Sequence, residues 1–564
     1  MGELVFNAPD AGCWEQDGTH FPRPMTLFLQ EAFRDGFIKG FQTGTKCYGL
    51  LLDHIEPAFV NSFFYNKAVI VGAPPNAKEP PPKFVFKLMS VLHPEMRRRL
   101  KTASTVLQEK PWREHLKNWD SVLKPQSTRK QLQLQARDMA AMSDHELAGY
   151  VGECMENAKA MAFQHHIYTI TCIVVIGDFI ACVNGWTGLT PAEISRALRG
   201  SSPISSGVTE EYLAALRAIA ADANAAAILA GPALPAEKLQ QLQALPGATG
   251  GTIKSYLDLV AYHVVGGYDI TCPTAIEKPD MLINALQVKI SPDNEAEAAR
   301  LVQAHIDKLR SAVPEPHRAQ FDDVLAEARL VYRLRDERSY WSDLWSSGIS
   351  RRALLEAGRR LVAAGKITSA EHVLDATCAE AQGLLTGSGN AEVSAADLAA
   401  RYRYRETVSV DVAPPFLNGQ PSPPPPVEWF PPKTQRTMRA MNMLLMNVFG
   451  NTDKKSDAKV VRGISVSSGV YEGRARVIDR IENLDQLQQG EVLVTRSTST
   501  AFNYVLPRVG AIVTDRGGIM SHAAIVAREY GLPAVVGCMV AGKTIANGAM
   551  VRVDADRGEV TILS

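Results

Sequence analysis

Hydrophobic residues along this chain change period from one end to the other. The most continuous apolar run is Ile167 to Cys182, interrupted by Asp178. It is too short for a bilayer and holds a carboxylate, so it predicts a buried core helix rather than a membrane span. It closes a stretch, 136–183, that reads as two helices, the first starting around Asp144-His145-Glu146-Leu147. Residues 184–250 are Ala-rich, and Ala214 to Ala230 is nearly all helix formers, which predicts a packing helix. Residues 296–390 are helical and charged. Residues 1 to about 125, rich in Pro and aromatics, read as irregular. Toward the C-terminus the period shortens. Gly463 to Gly473 alternates and turns like a β element, Glu491 to Thr495 reads as a strand, and Asn547-Gly548 is a turn before the final strands. The pattern predicts an α+β multidomain chain: a large, mainly helical domain over 1–410, a linker over 411–459, and an α/β domain over 460–564.

The linker is set by proline. Val412-Ala413-Pro414-Pro415, then Pro421 to Pro426, then Pro431-Pro432 exclude a helix or a central strand. At about 3.1 Å per residue, some twenty such residues reach roughly 60 Å as a semi-rigid spacer. A second, polar linker spans Asn451 to Lys459, with Met441 to Phe449 between the two.

Composition narrows the class. Over 564 residues the chain is 46% hydrophobic and 21% charged with a formal net charge of zero, so it offers no footprint for nucleic acid or an anionic membrane. Eight cysteines are scattered without Cys-x-x-Cys or zinc-finger spacing. This implies reduced thiols, a cytoplasmic location and no metal centre. The N-terminus lacks the charged and apolar regions of a signal peptide.

The candidate chemistry centres on one histidine. Ala511-Ile512-Val513-Thr514 is a buried strand, Gly517 and Gly518 permit a tight turn, and Ser521 is an N-cap. Ala523 to Arg528 is good helix sequence, Gly531 a C-terminal stop and Pro533 lies just beyond. His522 therefore falls in the first helical turn, where unpaired N–H groups and the dipole favour an anion. A histidine there is mostly neutral near pH 7 and can accept a phosphoryl group. Thr514 and Thr495 end their strands near this loop, with hydroxyls suited to phosphate.

The run Gly-Gly-x-x-Ser-His-Ala-Ala-Ile-Val-Ala-Arg-x-x-Gly-Leu-Pro-Ala-Val-Val-Gly over 517–537 resembles the phosphohistidine swivelling domain of PEP-utilising enzymes. The resemblance covers about the last hundred residues and implies that His522 is the transient phosphohistidine. The synthases of that family usually carry an Asp-Pro pair in an upstream loop where this chain has Thr500-Ala501-Phe502.

Other segments offer acceptor chemistry. Trp14 to Pro24 gathers Asp17, His20, Phe21 and Arg23 on a stretch that Pro and Gly keep from forming a helix. It is either a functional loop or a packed N-terminal arm. The pair His165-His166 suits ligating a metal or polarising a substrate hydroxyl; the alternative is one solvent-facing ring and one satisfied core polar group. Tyr262 to Glu277 holds His263, Tyr268, Asp269 and Glu277 near glycines, a set suited to deprotonating a hydroxyl. It partly resembles a segment of rifampicin phosphotransferase-like and phenol-phosphorylating proteins. Among the arginines of 333–360, most read as solvated helix faces. Arg335 and Arg338 are the candidates for the phosphoryl oxygens, because a guanidinium fork fits phosphate.

The resemblance further implies a division of parts. Swivelling phosphotransferases combine a nucleotide grasp domain, a carrier and an acceptor site. Here the acceptor-like segment comes first and the carrier last, so ATP and Mg²⁺ are expected on a separate ATP-grasp subunit. The layout resembles the phenylphosphate synthase type, with a phenol or cresol as acceptor and AMP and phosphate as by-products. A rifampicin phosphotransferase-like enzyme for a larger hydroxylated molecule and a regulatory phosphocarrier are the alternatives.

Overall fold

Thr26 accepts a hydrogen bond from the Leu29 N–H and so starts a 21-residue helix, Leu27–Cys47, inside the stretch read as irregular. The computed structural model describes residues 4–74, 77, 79–288, 292–387, 393–448, 456–457, 459–478, 481–498, 502 and 505–564. The irregular reading of 1–125 rested on Pro and aromatics, yet no proline falls within Leu27–Cys47. Gly36, Gly40 and Gly44 recur at a spacing of four along one face of this helix, and a Cβ at Gly36 would lie 2.5 Å from the Phe163 nitrogen. They serve close helix packing and bring Leu27–Cys47 against the helix Asp144–His166. That second helix begins with a capping box, Ser143 and Glu146 satisfying each other's backbone N–H.

The chain divides into two compact units, each assembled from separated stretches. The first comprises 1–171, 267–272 and 338–438; the second comprises 172–266, 273–337 and 439–564.

In the first unit, a hairpin of Leu52–Val60 and Phe63–Ile70 turns through Asn61 and Ser62, both at positive φ. Trp14–Gln16 adds to Phe63–Ile70, and Phe416–Leu417 adds to Trp14–Gln16, giving a four-stranded antiparallel sheet. Trp14, Phe63, Tyr65, Val410 and Leu417 form its core. Trp14 is thus a core residue rather than a loop side chain. The proline-rich stretch is held on this unit through Phe430 instead of extending freely. Its carbonyls are acceptors, from Tyr65 Oη to Pro414 at 2.8 Å and from the Gln16 N–H to Pro415 at 3.0 Å, and Phe430 packs 4.9 Å from Phe86. Most of the polar linker 451–459 lies outside the described residues.

In the second unit, the run read as one helix over 214–230 is two, Glu210–Ala221 and Ala223–Ala230, bent by 95°. Asp222 breaks it by capping the second helix through the N–H groups of Asn224 and Ala225. The C-terminal portion carries an eight-stranded sheet, ordered Val460–Arg462, Glu559–Ile562, Met550–Asp554, Val470–Ile478, Val492–Thr495, Ala511–Thr514, Ala534–Val536, Ile464–Ser465. Its middle is parallel, Val470–Ile478 through Ala534–Val536, as strand–helix crossovers require. The protein is therefore mainly helical, with two sheets, and multidomain. Among the described residues one helical run, Asp144–Thr187, is long and apolar enough to cross a membrane, and 72% of its apolar window is buried inside the protein.

Candidate functional site

The strand Ala511–Thr514 is wholly buried between Val492–Thr495 and Ala534–Val536. The chain leaves it into a turn where Gly517 sits at φ 112°, and a Cβ there would meet Ser521 Oγ at 2.8 Å. Only glycine fits that position without strain. Ser521 then caps the helix His522–Tyr530 by accepting the Ala524 N–H, and Gly531 ends it in the left-handed conformation. The Ser521 N–H itself donates to the Gly518 carbonyl at 3.0 Å. Sequence and structure agree on every step of this loop.

His522 is 9% exposed. Its Nδ1 lies 3.0 Å from Thr498 Oγ1, while Nε2 is buried with no hydrogen-bond partner among the described residues. With Nδ1–H donating to Thr498, the lone pair is on Nε2. Burial lowers the imidazole pKa to about 4, with Arg335 pushing the same way and Asp336 opposing. The ring is therefore neutral at pH 7, as a nucleophile must be. Thr498 was not singled out from the sequence. Its signal is the hydroxyl-rich run Arg496-Ser497-Thr498 directly after a strand that ends beside the histidine loop. Ser499, Thr500 and Ala501 lie outside the described residues. The hydroxyls of Thr514 and Thr495 donate instead to the carbonyls of Arg516 and Ile478, so they shape the loop.

Around the histidine, Arg528 is 3% exposed and donates to four oxygens. These are Ser195 Oγ and Tyr332 Oη from the helical stretch, and the Val466 and Ile519 carbonyls from the sheet portion. Arg335 donates to Asp336, which is buried and accepts from Ser205 at 2.6 Å. Arg335 therefore lies where it acts electrically on His522. Arg338 belongs to the first unit and donates to the His165 carbonyl and to Thr169 Oγ1, tying a helix end.

The first unit brings several of the remaining candidates together. Asp17, just after the strand Trp14–Gln16, accepts the N–H groups of Thr19 and His20 and pairs with His20 Nδ1 at 2.7 Å. Despite burial, its pKa is lowered by the His20 ring and these hydrogen bonds. The rings of His20 and Phe21 lie 6.0 and 6.2 Å from Tyr268. His165 lies 6.4 Å from the same ring and pairs through Nδ1 with Asp343 Oδ1 at 2.8 Å. Tyr268 is fixed by its neighbours. Asp269 accepts from Thr26, Ser347 donates to the Tyr268 carbonyl, and Arg351 donates to the carbonyls of Ile270 and Thr271. His166, by contrast, sits among Phe33, Phe37 and Phe41 and bonds the Ala162 carbonyl, its pKa driven well down by burial. Arg23 pairs with Glu406 at 3.3 Å. His263 and Glu277 belong to the second unit; Glu277 completes a capping box with Thr274, and His263 is buried beside the bridge Val264–Thr274. Asp343 was not proposed as a site residue from the sequence, because its partner His165 lies 178 residues away in the chain.

Residues 487–558 match the family described as PEP-utilising enzyme, mobile domain, and residues 166–336 match the rifampicin phosphotransferase fourth domain. The chain is 30% identical over 309 residues to chondramide synthase cmdD of Chondromyces crocatus, covering 52% of this chain and 8% of that protein. It is 28% identical over 344 residues to a rifampicin phosphotransferase of a Streptomyces species, covering 57% of this chain and 36% of that one. A rifampicin phosphotransferase of Bacillus subtilis is 46% identical over 105 residues, 19% of this chain and 12% of that one. The chain thus spans about a third or less of the length of these curated relatives.

Proposed function

We propose that this chain, whose residues 487–558 match the mobile domain of PEP-utilising enzymes, moves a phosphoryl group on His522 to the hydroxyl of an acceptor. The observation that carries this reading is the buried neutral imidazole at the start of a capped helix, its Nε2 unpartnered among the described residues. The donor is ATP with Mg²⁺, held by an ATP-grasp partner that releases AMP and phosphate. The enzyme acts in the cytoplasm. In the seat described here Nε2 is closed off, so the carrier portion leaves that seat to meet donor and acceptor. Arg335 is the guanidinium that meets the phosphoryl oxygens at His522, with Ser521, Gly517 and Gly518 shaping the loop that presents them.

The acceptor is a small aromatic alcohol such as a phenol or cresol, held at Tyr268 and Phe21 in the first unit. Aromatic rings there supply flat apolar contact, and two imidazoles supply bases for its proton. A larger hydroxylated acceptor is the second reading, favoured by the match of residues 166–336 to the rifampicin phosphotransferase fourth domain.

Potassium phosphoramidate, which phosphorylates histidine without a protein donor, provides the test. The charged chain is offered phenol, p-cresol and a hydroxylated macrolactam, and phosphate esters are followed by phosphorus NMR. An aryl phosphate supports the first reading and a macrolactam phosphate the second. Charging without transfer to any alcohol would instead indicate a regulatory phosphocarrier.

A further inference from the structure

The proposed reaction needs a group that removes the acceptor proton, and three histidines compete for that place. We infer that Asp343 is a positioning residue that makes His165 the general base of the acceptor step; this rests on the acceptor reading above. Four observations carry it.

First, the Nδ1 of His165 lies 2.8 Å from Asp343 Oδ1. That contact holds the proton on Nδ1 and places the lone pair on Nε2, and the carboxylate stabilises the imidazolium formed when Nε2 takes a proton. Second, His165 sits in the last turn of the 23-residue helix Asp144–His166, whose negative end also favours an imidazolium. Third, its side chain is 12% exposed, whereas that of His20 is 46% exposed. The His165 ring is thus better shielded from water than the His20 ring. Fourth, the neighbouring His166, 4.4 Å away ring to ring, is walled in by three phenylalanines and bonded to a backbone carbonyl. His263 belongs to the second unit.

In the step, the acceptor O–H bond breaks and its proton goes to His165 Nε2. The acceptor oxygen forms a bond to phosphorus, the bond from phosphorus to His522 Nε2 breaks, and its electron pair returns to the His522 ring. The proton on His165 is later lost to water. No other reactant is required.

Asp343 is packed among His166, Arg338 and Ser339 as well as His165, and burial raises its pKa to about 6. His166 and Arg338 both favour the ionised carboxylate. Transfer should therefore weaken as pH falls through 6, when Asp343 is neutralised and no longer stabilises an imidazolium at His165.

The experiment is single-turnover transfer from the phosphoramidate-charged full chain to phenol. The amount of acid-labile phosphate on His522 serves as the internal standard for each variant. Asp343→Asn should slow transfer by at least about a hundredfold, the scale of general-base catalysis. Its dependence on phenol concentration should be unchanged, and the fall in rate below pH 6 should be lost. Asp343→Glu should recover part of the rate. A double variant with His165→Gln should be no slower than His165→Gln alone, since both act through one base. Asp343→Asn transferring at the wild-type rate overturns the inference alone, and so does additivity of the two variants. A charged wild-type chain that transfers to no alcohol overturns the acceptor reading and the inference with it.

Discussion

Arg528→Ala tests how the carrier portion is seated. Within the second unit this guanidinium joins Ser195 and Tyr332 of the helical stretch to the carbonyls of Val466 and Ile519 on the sheet side. All four contacts are buried. Removing the side chain strands four acceptors, each costing about 1–3 kcal/mol if left dry. Water entering the space relieves part of that, so the net loss is set near the ~3–5 kcal/mol seen when one partner of a buried charged network is removed. At about 1.4 kcal/mol per tenfold, the seat should open between about a hundredfold and a few thousandfold more often. Hydrogen exchange followed by mass spectrometry reads this directly, in the amides of His522–Tyr530 and of the turn 195–205. Arg528→Lys keeps the charge but loses the fork, and should fall between wild type and alanine. Exchange within twofold of wild type in Arg528→Ala would refute the reasoning, because it would mean these four contacts do not hold the seat.

Three further outcomes follow from the same geometry. Gly40→Ala would place a Cβ 2.5 Å from His166 Cβ and 2.9 Å from its carbonyl carbon. The helix ending in His165-His166 must shift, costing about 1–3 kcal/mol by urea unfolding and slowing acceptor transfer while leaving His522 chargeable. Charging of His522 by phosphoramidate should stay flat from pH 8 to about 5, because a pKa near 4 keeps the ring neutral there; a fall centred on 6.5 would contradict the burial argument. Glu529, raised to about 7 by burial, accepts the Gly200 N–H, with its other oxygen unpartnered among the described residues. The folded state holds its proton more tightly than the unfolded state, so its contribution is full below the unfolded value and is lost as pH rises through 7. His522 has the opposite sign: below about 6.5 the unfolded state binds a proton that the buried ring refuses, so stability drops as pH falls toward 4. The two oppose one another between about pH 4.5 and 6.5, and Glu529→Gln should leave only the His522 slope in hydrogen exchange of the seat.

What was legible in the sequence was what local chemistry decides. The strand, glycine turn, cap and stop around His522 are fixed within some twenty residues, and each stands where its residue type requires. Long-range partnership was not legible. Residues 1–125 read as irregular from their Pro and aromatics, whereas Gly36, Gly40 and Gly44 seat the helix Leu27–Cys47 on a partner over a hundred residues away. The proline-rich stretch read as a free spacer because proline forbids regular structure but not docking, and its carbonyls and Phe430 are used by the first unit. Tyr262 to Glu277 read as one cluster, yet residues 267–272 belong to one compact unit and the flanking residues to the other. Arg335 and Arg338 looked equivalent. Asp336 and Glu337 differ in what they face, and the two arginines follow them into different surroundings.

The most direct measurement is phosphorus NMR of the phosphoramidate-charged chain incubated with phenol, beside His522→Asn treated identically. The wild-type chain should show an acid-labile phosphoimidazole signal that decays as a phosphate ester grows, and His522→Asn should show neither that signal nor the ester. An ester formed at the wild-type rate by His522→Asn would contradict the claim that this imidazole carries the phosphoryl group.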